Sequence, residues 1–429
     1  MKMKWIMGLV LLTFFLGGSL WGQGLEKPLT LEESIKIASD RSLALHSATM
    51  GILGSEFRRK EAFTNFLPLW TGQYSYTRFN SPTSIGSGGS RDVSNFSTSL
   101  EQPLFTGGAN LANYRSAKLG LDLSKTNVEV VKRDLVLTVR VGYFNILTSE
   151  KIMGVAQQAV KQFEAQLEVT KAFFEVGIVP KNDLLQAEVR LANAVQALVK
   201  AENDVATAKA SFNILLRREV NTPLSVVDIL EYKPFPLRFE ESLEEAFQKR
   251  PEIKTAELNI GQAKENVKIA RSEYFPTVSL TGAYARSSDE VVLNGDLRND
   301  RWNIQTLATM TLWNWGNTAY KVGENKVKVT QAEDSKTQLI DSITLEVKND
   351  YLSMQVAEKN VSVAQKSIEQ AEENLRMNEE RYKYQVATQT DVLDAVVLLA
   401  QARVNYYGAL SDFNIAKARL ERAMGRMYP

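Results

Sequence analysis

Few side chains in this protein are suited to acid–base or nucleophilic work. The 429 residues include one histidine, His46, and no cysteine. That removes disulfides, thiolate metal sites, thiol nucleophiles and a lipid-modified N-terminal cysteine. With them go most metal sites and most proton transfer at neutral pH. His46 lies in a helical stretch of mixed polarity and reads as structural or solvated. No Gly-rich phosphate loop is present. A long-helix lyase would need acids, bases or a mobile catalytic loop in a pocket, so neither an enzyme nor a cofactor is expected. What remains is acidic: in "ATQTDVLDA", residues 387–395, Asp391 and Asp394 stand three apart. A helix projects both to neighbouring parts of one face. Thr388-x-x-Asp391 also fits a capping box, with the acid favoured by the helix dipole. Asp183 holds the equivalent place behind Pro180.

These acids open a helix with an unusual seam. Alanine recurs at 395, 402, 409, 416 and 423, and three residues before each stands Val392, Leu399, Tyr406, Phe413 or Leu420. Two interleaved seven-residue series form the seam of a helix against a partner, and the alanines bring the backbones close. The pattern also occurs 208 residues earlier, as Leu184, Leu191, Leu198, Val205 and Phe212 with Ala187, Ala194, Ala201 and Ala208, closing at Leu215. Other landmarks keep that offset: "FLP" at 66–68 and "YFP" at 274–276, Phe105 and Trp313, Gly108 and Gly316, Tyr143 and Tyr351, Asp183 and Asp391. Only "LEESIKIA" from Leu31, set against "LEEAFQK" from Leu243, departs from it, by four residues. The chain is a duplicated unit.

Each unit reads in the same order. A helix runs from about Leu31 to Phe66, or Leu243 to Tyr274, and stops at Pro68 or Pro276. Two alternating segments follow. Glycine at 107–108 or 316 then opens a proline-free stretch to about Glu175 or Lys383, roughly 100 Å as one helix at about 1.5 Å per residue. A turn leads into the alanine-seamed helix, which returns antiparallel. Residues 1–22 read as a secretory signal peptide: Lys2 and Lys4, an apolar run from Trp5 to Leu16, then small residues to Gly22. The first repeat is expected over 23–216 with a β-hairpin at 69–104. A linker with Pro223, Pro234 and Pro236 covers 217–240. The second repeat is expected over 241–429 with a hairpin at 277–312. Loss of Lys2 and Lys4 takes the formal charge from +1 to −1, so no nucleic-acid partner is expected.

The alternating segments suggest a membrane. Trp70, Tyr74 and Tyr76 fall opposite Thr71, Gln73, Ser75 and Thr77; Phe96 and Leu100 fall opposite Asn95, Ser97, Ser99 and Glu101. Val278, Leu280 and Tyr284 face away from Ser279 and Thr281. Trp302, Ile304, Met310 and Leu312 face away from Asn303, Gln305, Thr309 and Thr311, with Leu307 a misfit. Strands of about ten residues with one oily and one wet face fit a transmembrane barrel. The loops at 80–92 and 288–300 suit its outer side. Four strands leave an edge that lipid does not tolerate. Two chains give eight strands and a filled interior, whereas three give twelve and a lumen.

With "PLFTGG" at 103–108, "VGIVPKNDLLQAEVRL" at 176–191 and "ATQTDVLDA" at 387–395, the sequence resembles the outer-membrane efflux family, the TolC-like channels. The resemblance implies a mainly α fold with transmembrane β. Long antiparallel coiled-coil hairpins would form a trimeric α-helical tunnel in the periplasm, below a trimeric 12-stranded outer-membrane β-barrel. A homotrimer set in outer-membrane lipid would serve as a passive duct without a cofactor, docked through a periplasmic adaptor (membrane fusion) protein to an inner-membrane pump. It also implies docking at Val176, Gly177 and Ile178. Gly177 is equally read as a plain helix-ending glycine. Asp391 and Asp394 match an acidic pair at the periplasmic mouth, repeated by threefold symmetry as rings that admit cations. Gln166, Asp183, Glu379 and Tyr382 match a polar latch between inner and outer hairpins, while Ala387 stands where a basic residue is expected. The alternative is a secreted periplasmic coiled coil with a structural or adaptor role, which would not need the paired hairpins.

Overall fold

A computed structural model describes residues 27–81, 91–288 and 300–427. The leader expected at 1–22 and most of both outer loops lie outside the described residues. Along the chain come α1 (Leu31–Arg41), α2 (Leu43–Thr64), β1 (Leu69–Arg78), β2 (Asp92–Thr106), α3 (Ala109–Glu175) and α4 (Lys181–Leu215). The second half supplies α5 (Phe239–Lys249), α6 (Pro251–Ser272), β3 (Thr277–Ser288), β4 (Asp300–Thr309), α7 (Asn317–Lys383) and α8 (Gln389–Ala423). Every element start in the first half recurs 208 residues later, α1 included. The four-residue drift is therefore corrected: Leu31 pairs with Phe239, and the fully buried Ser34 and Ala38 pair with the fully buried Ser242 and Ala246. The two Leu-Glu-Glu strings are alike, but burial decides the alignment.

A second correction concerns the leading helices, which break at Ser42 and Arg250. Arg250 is extended (ψ 123°), because the Pro251 ring disfavours the α region for the residue before it. Ser42 holds the same conformation without a proline, and its hydroxyl accepts from Leu45 N–H at 3.3 Å to cap α2.

The alanine seam is dry: Ala395, Ala402, Ala409, Ala416 and Ala423 are all buried, with Val392, Leu399, Phe413 and Leu420. α8 lies against α7 and also against α3 of the other repeat, while α4 lies against α3. One core gathers at the equator, around Tyr143, Phe212, Phe413 and Leu420. A second lies near the helical turns, around Phe163, Tyr382, Leu393 and Leu399. The proline-bearing segment after α4 is not a loose connector. Leu224, Val226 and Leu230 are buried, and Leu29 bridges to Val226 as parallel β. The Tyr143 hydroxyl donates toward Leu29 O at 2.9 Å and Val227 O at 2.8 Å, fastening both straps. Beside them runs an ionic belt: Arg140 meets Glu421 at 2.6 Å, and Arg422 meets Asp134 at 2.9 Å. The Arg426 guanidinium beside Glu245, with Lys249 adding, holds its carboxyl at about 2 despite burial.

The strands form one antiparallel sheet in the order β1-β2-β3-β4, so the repeats join through β2 and β3. Register places Trp70, Leu100, Gly282 and Ile304 in one row, and Tyr74 beside Phe96. Since cross-strand partners share a face, the oily sets of all four strands lie together. A bulge at Pro103/Phe105 resets β2 before it enters α3. β4 stops at Thr309, so Met310 and Leu312 lie beyond the strand rather than on its face. Trp70 (78%), Trp302 (77%) and Ile304 (71%) stand out from the chain. No helix among the described residues is long and apolar enough to cross a membrane. Lipid-facing arginine at mid-bilayer costs about 2–4 kcal/mol, so Ile304→Arg is expected to cut the outer-membrane yield of folded protein far more than Gln305→Arg. Equal yields would reject this assignment of faces.

Candidate functional site at the helical turns

At residues 176–180 and 384–388 the long helices hand over to the return helices. The Val176 N–H donates to Ala172 O, the Gly177 N–H to Phe174 O at 3.0 Å, and the Ile178 N–H to Phe173 O at 2.8 Å. With Gly177 left-handed at φ +78°, this is a Schellman ending, and it accounts for the glycine. The second turn repeats it: Gln385 N–H donates to Tyr382 O at 3.0 Å, and Val386 N–H to Arg381 O at 2.8 Å. Here, however, the left-handed residue is Gln385, at φ +58°. The geometry turns the same two side chains outward each time. Val176 and Ile178 are exposed, and so are Tyr384 and Val386, a second apolar pair that the sequence reading passed over. The 208 offset from Val176 and Ile178 was the signal for it.

The two acids have separate employments. Thr388 N–H and hydroxyl donate to Asp391 Oδ2 at 2.8 and 2.7 Å, and Asp391 N–H donates back to Thr388 Oγ1 at 3.2 Å. The capping box is complete, and these bonds, the backbone one foremost, hold the Asp391 carboxyl below the usual carboxylate range. Asp394 points instead to α4, where Arg190 meets it at 2.8 Å. The equivalent acid in the first repeat, Asp183, is not matched by such a box. Its N-cap is Pro180, which offers no side-chain acceptor.

Of the four expected latch residues, the structure draws three toward one place. Gln389 is 2% exposed, and its Oε1 accepts from Gln166 Nε2 at 3.2 Å and from Thr170 Oγ1 at 2.7 Å. Tyr382 is buried, with its ring 5.7 Å from that of Phe173. Burial raises its phenol above the ordinary range, and nearby Asp183 adds to this. Glu379 stands apart, exposed on α7. Ala387 packs against the apolar cluster near the turns. Near the turns the α3–α4 and α7–α8 hairpins are linked by Gln166–Gln389, Thr170–Gln389, Arg190–Asp394 and a 3.3 Å bond from Thr390 to Gln186, with Arg403–Gln158 farther along and the Arg140–Glu421 and Asp134–Arg422 pairs at the equator. Thr170, Gln186, Arg190, Gln389 and Thr390 were not anticipated, because nothing local in the sequence marks which surface polar residues meet across hairpins. Two buried polar atoms, Tyr382 Oη and Gln389 Nε2, have no partner of normal geometry, so this junction is incompletely satisfied. Among the described residues no group of His, Cys, Asp or Glu is placed to hold a metal ion. The arrangement ties the two hairpins together near their turns.

The cap makes a pH prediction. A carboxyl lowered by folding stabilises above its unfolded pKa and loses that contribution as pH falls through the folded value. Hydrogen exchange of the peptide spanning 387–396, corrected for intrinsic rates, should show protection lost on acidification through that window. Asp391→Asn, which still caps, should remove the pH dependence. The same acid dependence in both proteins would separate the cap from the titration.

The profile of the family described as "Outer membrane efflux protein" matches residues 35–216 and 242–426. Outer membrane efflux protein BepC of Brucella suis biovar 1 is 22% identical over 299 residues, 69% of this chain and 63% of that protein. Outer membrane protein TolC of Vibrio cholerae serotype O1 is 25% identical over 237 residues, 51% of this chain and 53% of that one. The chain thus spans less than two thirds of these curated relatives. Solved structures match more of the fold. The Campylobacter jejuni CmeC outer membrane channel superposes with a TM-score of 0.81 over 92% of this chain and 85% of its own, at 19% identity. The open state of the Neisseria gonorrhoeae MtrE outer membrane channel gives 0.77 over 92% and 89%, at 22% identity. With both repeats matched by one profile and the whole architecture shared with solved channels, the chain belongs to the outer membrane efflux protein family.

Proposed function

We propose that this protein is the passive outer-membrane duct of a tripartite efflux or type I secretion assembly, working as a homotrimer. Four strands from each of three chains close a twelve-stranded barrel in outer-membrane lipid, and the long hairpins of the three chains line a periplasmic tunnel. The observation that carries this reading is the sheet. Its register collects Trp70, Leu100, Trp302 and Ile304 on one outward face, while Gln73, Ser97, Thr281 and Gln305 turn the other way. Both edge strands, β1 and β4, await partners. A periplasmic coiled-coil rod would leave that oily face in water.

A periplasmic adaptor protein docks at the turns, through Val176, Gly177 and Ile178, with Tyr384 and Val386 as the matching pair, and connects the duct to an inner-membrane pump. Asp391 and Asp394 lie at the mouth, Asp391 engaged as a cap and Asp394 through Arg190. Gln166, Asp183 and Tyr382 belong to the latch, and exposed Glu379 faces its outer side.

Purified protein in planar bilayers should give discrete cation-preferring channels. Asp394→Asn removes one acid and frees the Arg190 cation, so it should shift the reversal potential toward anions more than Asp391→Asn does. An unchanged potential in both variants would leave the acids no role in permeation.

Docking is tested separately. Ile178→Asp places a charge on an exposed knob without touching the left-handed Gly177, and should abolish export in cells while trimer amounts stay normal. Normal export would reduce this turn to a helix ending.

A further inference from the structure

At the equator the first repeat carries a covering that the second lacks. On α3, Tyr143, Leu147, Glu150, Lys151 and Gly154 lie along one face, and Tyr143 and Leu147 are 0% and 2% exposed. The strap at 224–230, "LSVVDIL", is fastened to this face at two points. Tyr143 donates to Val227 O at 2.8 Å, and Lys151 Nζ pairs with Asp228. The strap also pairs with the segment leading into α1: Leu29 N–H donates to Ser225 O at 2.9 Å, and Val227 N–H to Leu29 O at 3.1 Å.

The receiving groups recur 208 residues on. Tyr351, Glu358 and Lys359 repeat Tyr143, Glu150 and Lys151, and "FPL" at 235–237 repeats "KPL" at 27–29. The strap does not recur. Among the described residues no carboxylate pairs with Lys359, and the Leu237 N–H and C=O have no backbone partner. Exposure follows. Gln355, Lys359 and Ser362 are exposed, where Leu147 is buried and Lys151 and Gly154 are half-buried. With Tyr232, Glu358 and Gln365 they line a cavity of about 320 Å³.

Its polar groups are set for a particular kind of occupant. Tyr351 Oη accepts from Gln355 Nε2 at 3.0 Å, which leaves the phenolic hydrogen for an acceptor such as a backbone carbonyl. Tyr232 closes the far end, its ring 5.0 Å from that of Phe413 and its hydroxyl donating to Glu358 at 2.5 Å. With Glu358 so engaged, Lys359 is the uncommitted charge of the cavity, and it favours an acid. Gln355 in the place of buried Leu147 keeps the face soluble while it is empty.

We propose that this face of α7 docks an extended segment of a partner protein, laid as the strap 224–230 lies on α3. The partner's backbone pairs with Leu237 and takes the Tyr351 hydroxyl on a carbonyl, and its aspartate or glutamate meets Lys359. This is strand addition to an open backbone edge, with one charge fixing the register. The in-chain strap specifies the occupant: an extended backbone rather than a helix, and an acid rather than a base. Gln355 and Tyr384 are 29 residues apart, roughly 40 Å of helix at about 1.5 Å per residue, so this contact is separate from docking at the turns.

The chain has no cysteine, so Gln355→Cys gives one labelling position without background. In purified full-length protein it should react readily with a maleimide. The acetylated and amidated peptide NTPLSVVDILE, residues 221–231, should bind saturably and slow that reaction, and a scrambled peptide should do neither. Lys359→Glu should weaken peptide binding about fivefold, as should lysine for the aspartate of the peptide, and the two changes together should restore it. Gln355→Cys protein that is inert before any peptide is added means that the assembly covers this face itself, and overturns the proposal. Labelling that the peptide does not slow overturns it as well, as does binding that neither charge change alters.

Discussion

A helix about 100 Å long has no interior of its own. Each of α3 and α7 runs 67 residues, and an apolar stripe of that length is stable in water only if something covers it from end to end. That constraint organises the rest of the molecule. The return helices cover one side, and alanine at every seventh position lets them approach closely enough to exclude water. The second repeat covers the first through α6 and α8. What remains uncovered, on α7, is what a solitary chain cannot bury.

The polar groups follow from the same geometry. At the equator, where six helices and two straps converge, backbone and charge are drawn into the core. Tyr143 ties the straps there, and arginines at 140, 250, 422 and 426 are matched by carboxylates. Pairs of this kind fix register more than they add stability, since desolvation offsets much of their attraction. Near the helical turns the balance differs. Gln389 and Tyr382 each leave a buried polar atom unpartnered, and the ties between hairpins are few and mostly neutral.

The two repeats are alike in backbone and unlike in side chains, and the difference is informative. Gly177 and Gln385 occupy one left-handed site, and only the first has the residue that site favours. Thr388 completes a cap that Pro180 does not. The acids Asp183 and Asp391, equivalent by sequence, consequently sit in different surroundings. Duplication supplied the scaffold, and divergence at the turns made the two helix ends chemically different.

Periodicity alone determined the long hairpins, the four strands and their oily faces, because burial along a helix or strand imposes a repeat that survives in one dimension. Gly108, Pro68 and the capping box at Thr388 marked ends for equally local reasons. Other features were decided only in three dimensions. The 208 register of α1 with α5 rests on which serines and alanines are buried, not on the matching Leu-Glu-Glu strings. The break at Ser42 has no proline to announce it. Gln389, Thr170 and Arg190 became hairpin ties because packing brought together residues 204 to 223 positions apart, and a surface polar residue carries no mark of a partner that distant. The single face shared by four strands likewise required the β2–β3 register, which joins the two repeats through contacts no local pattern encodes.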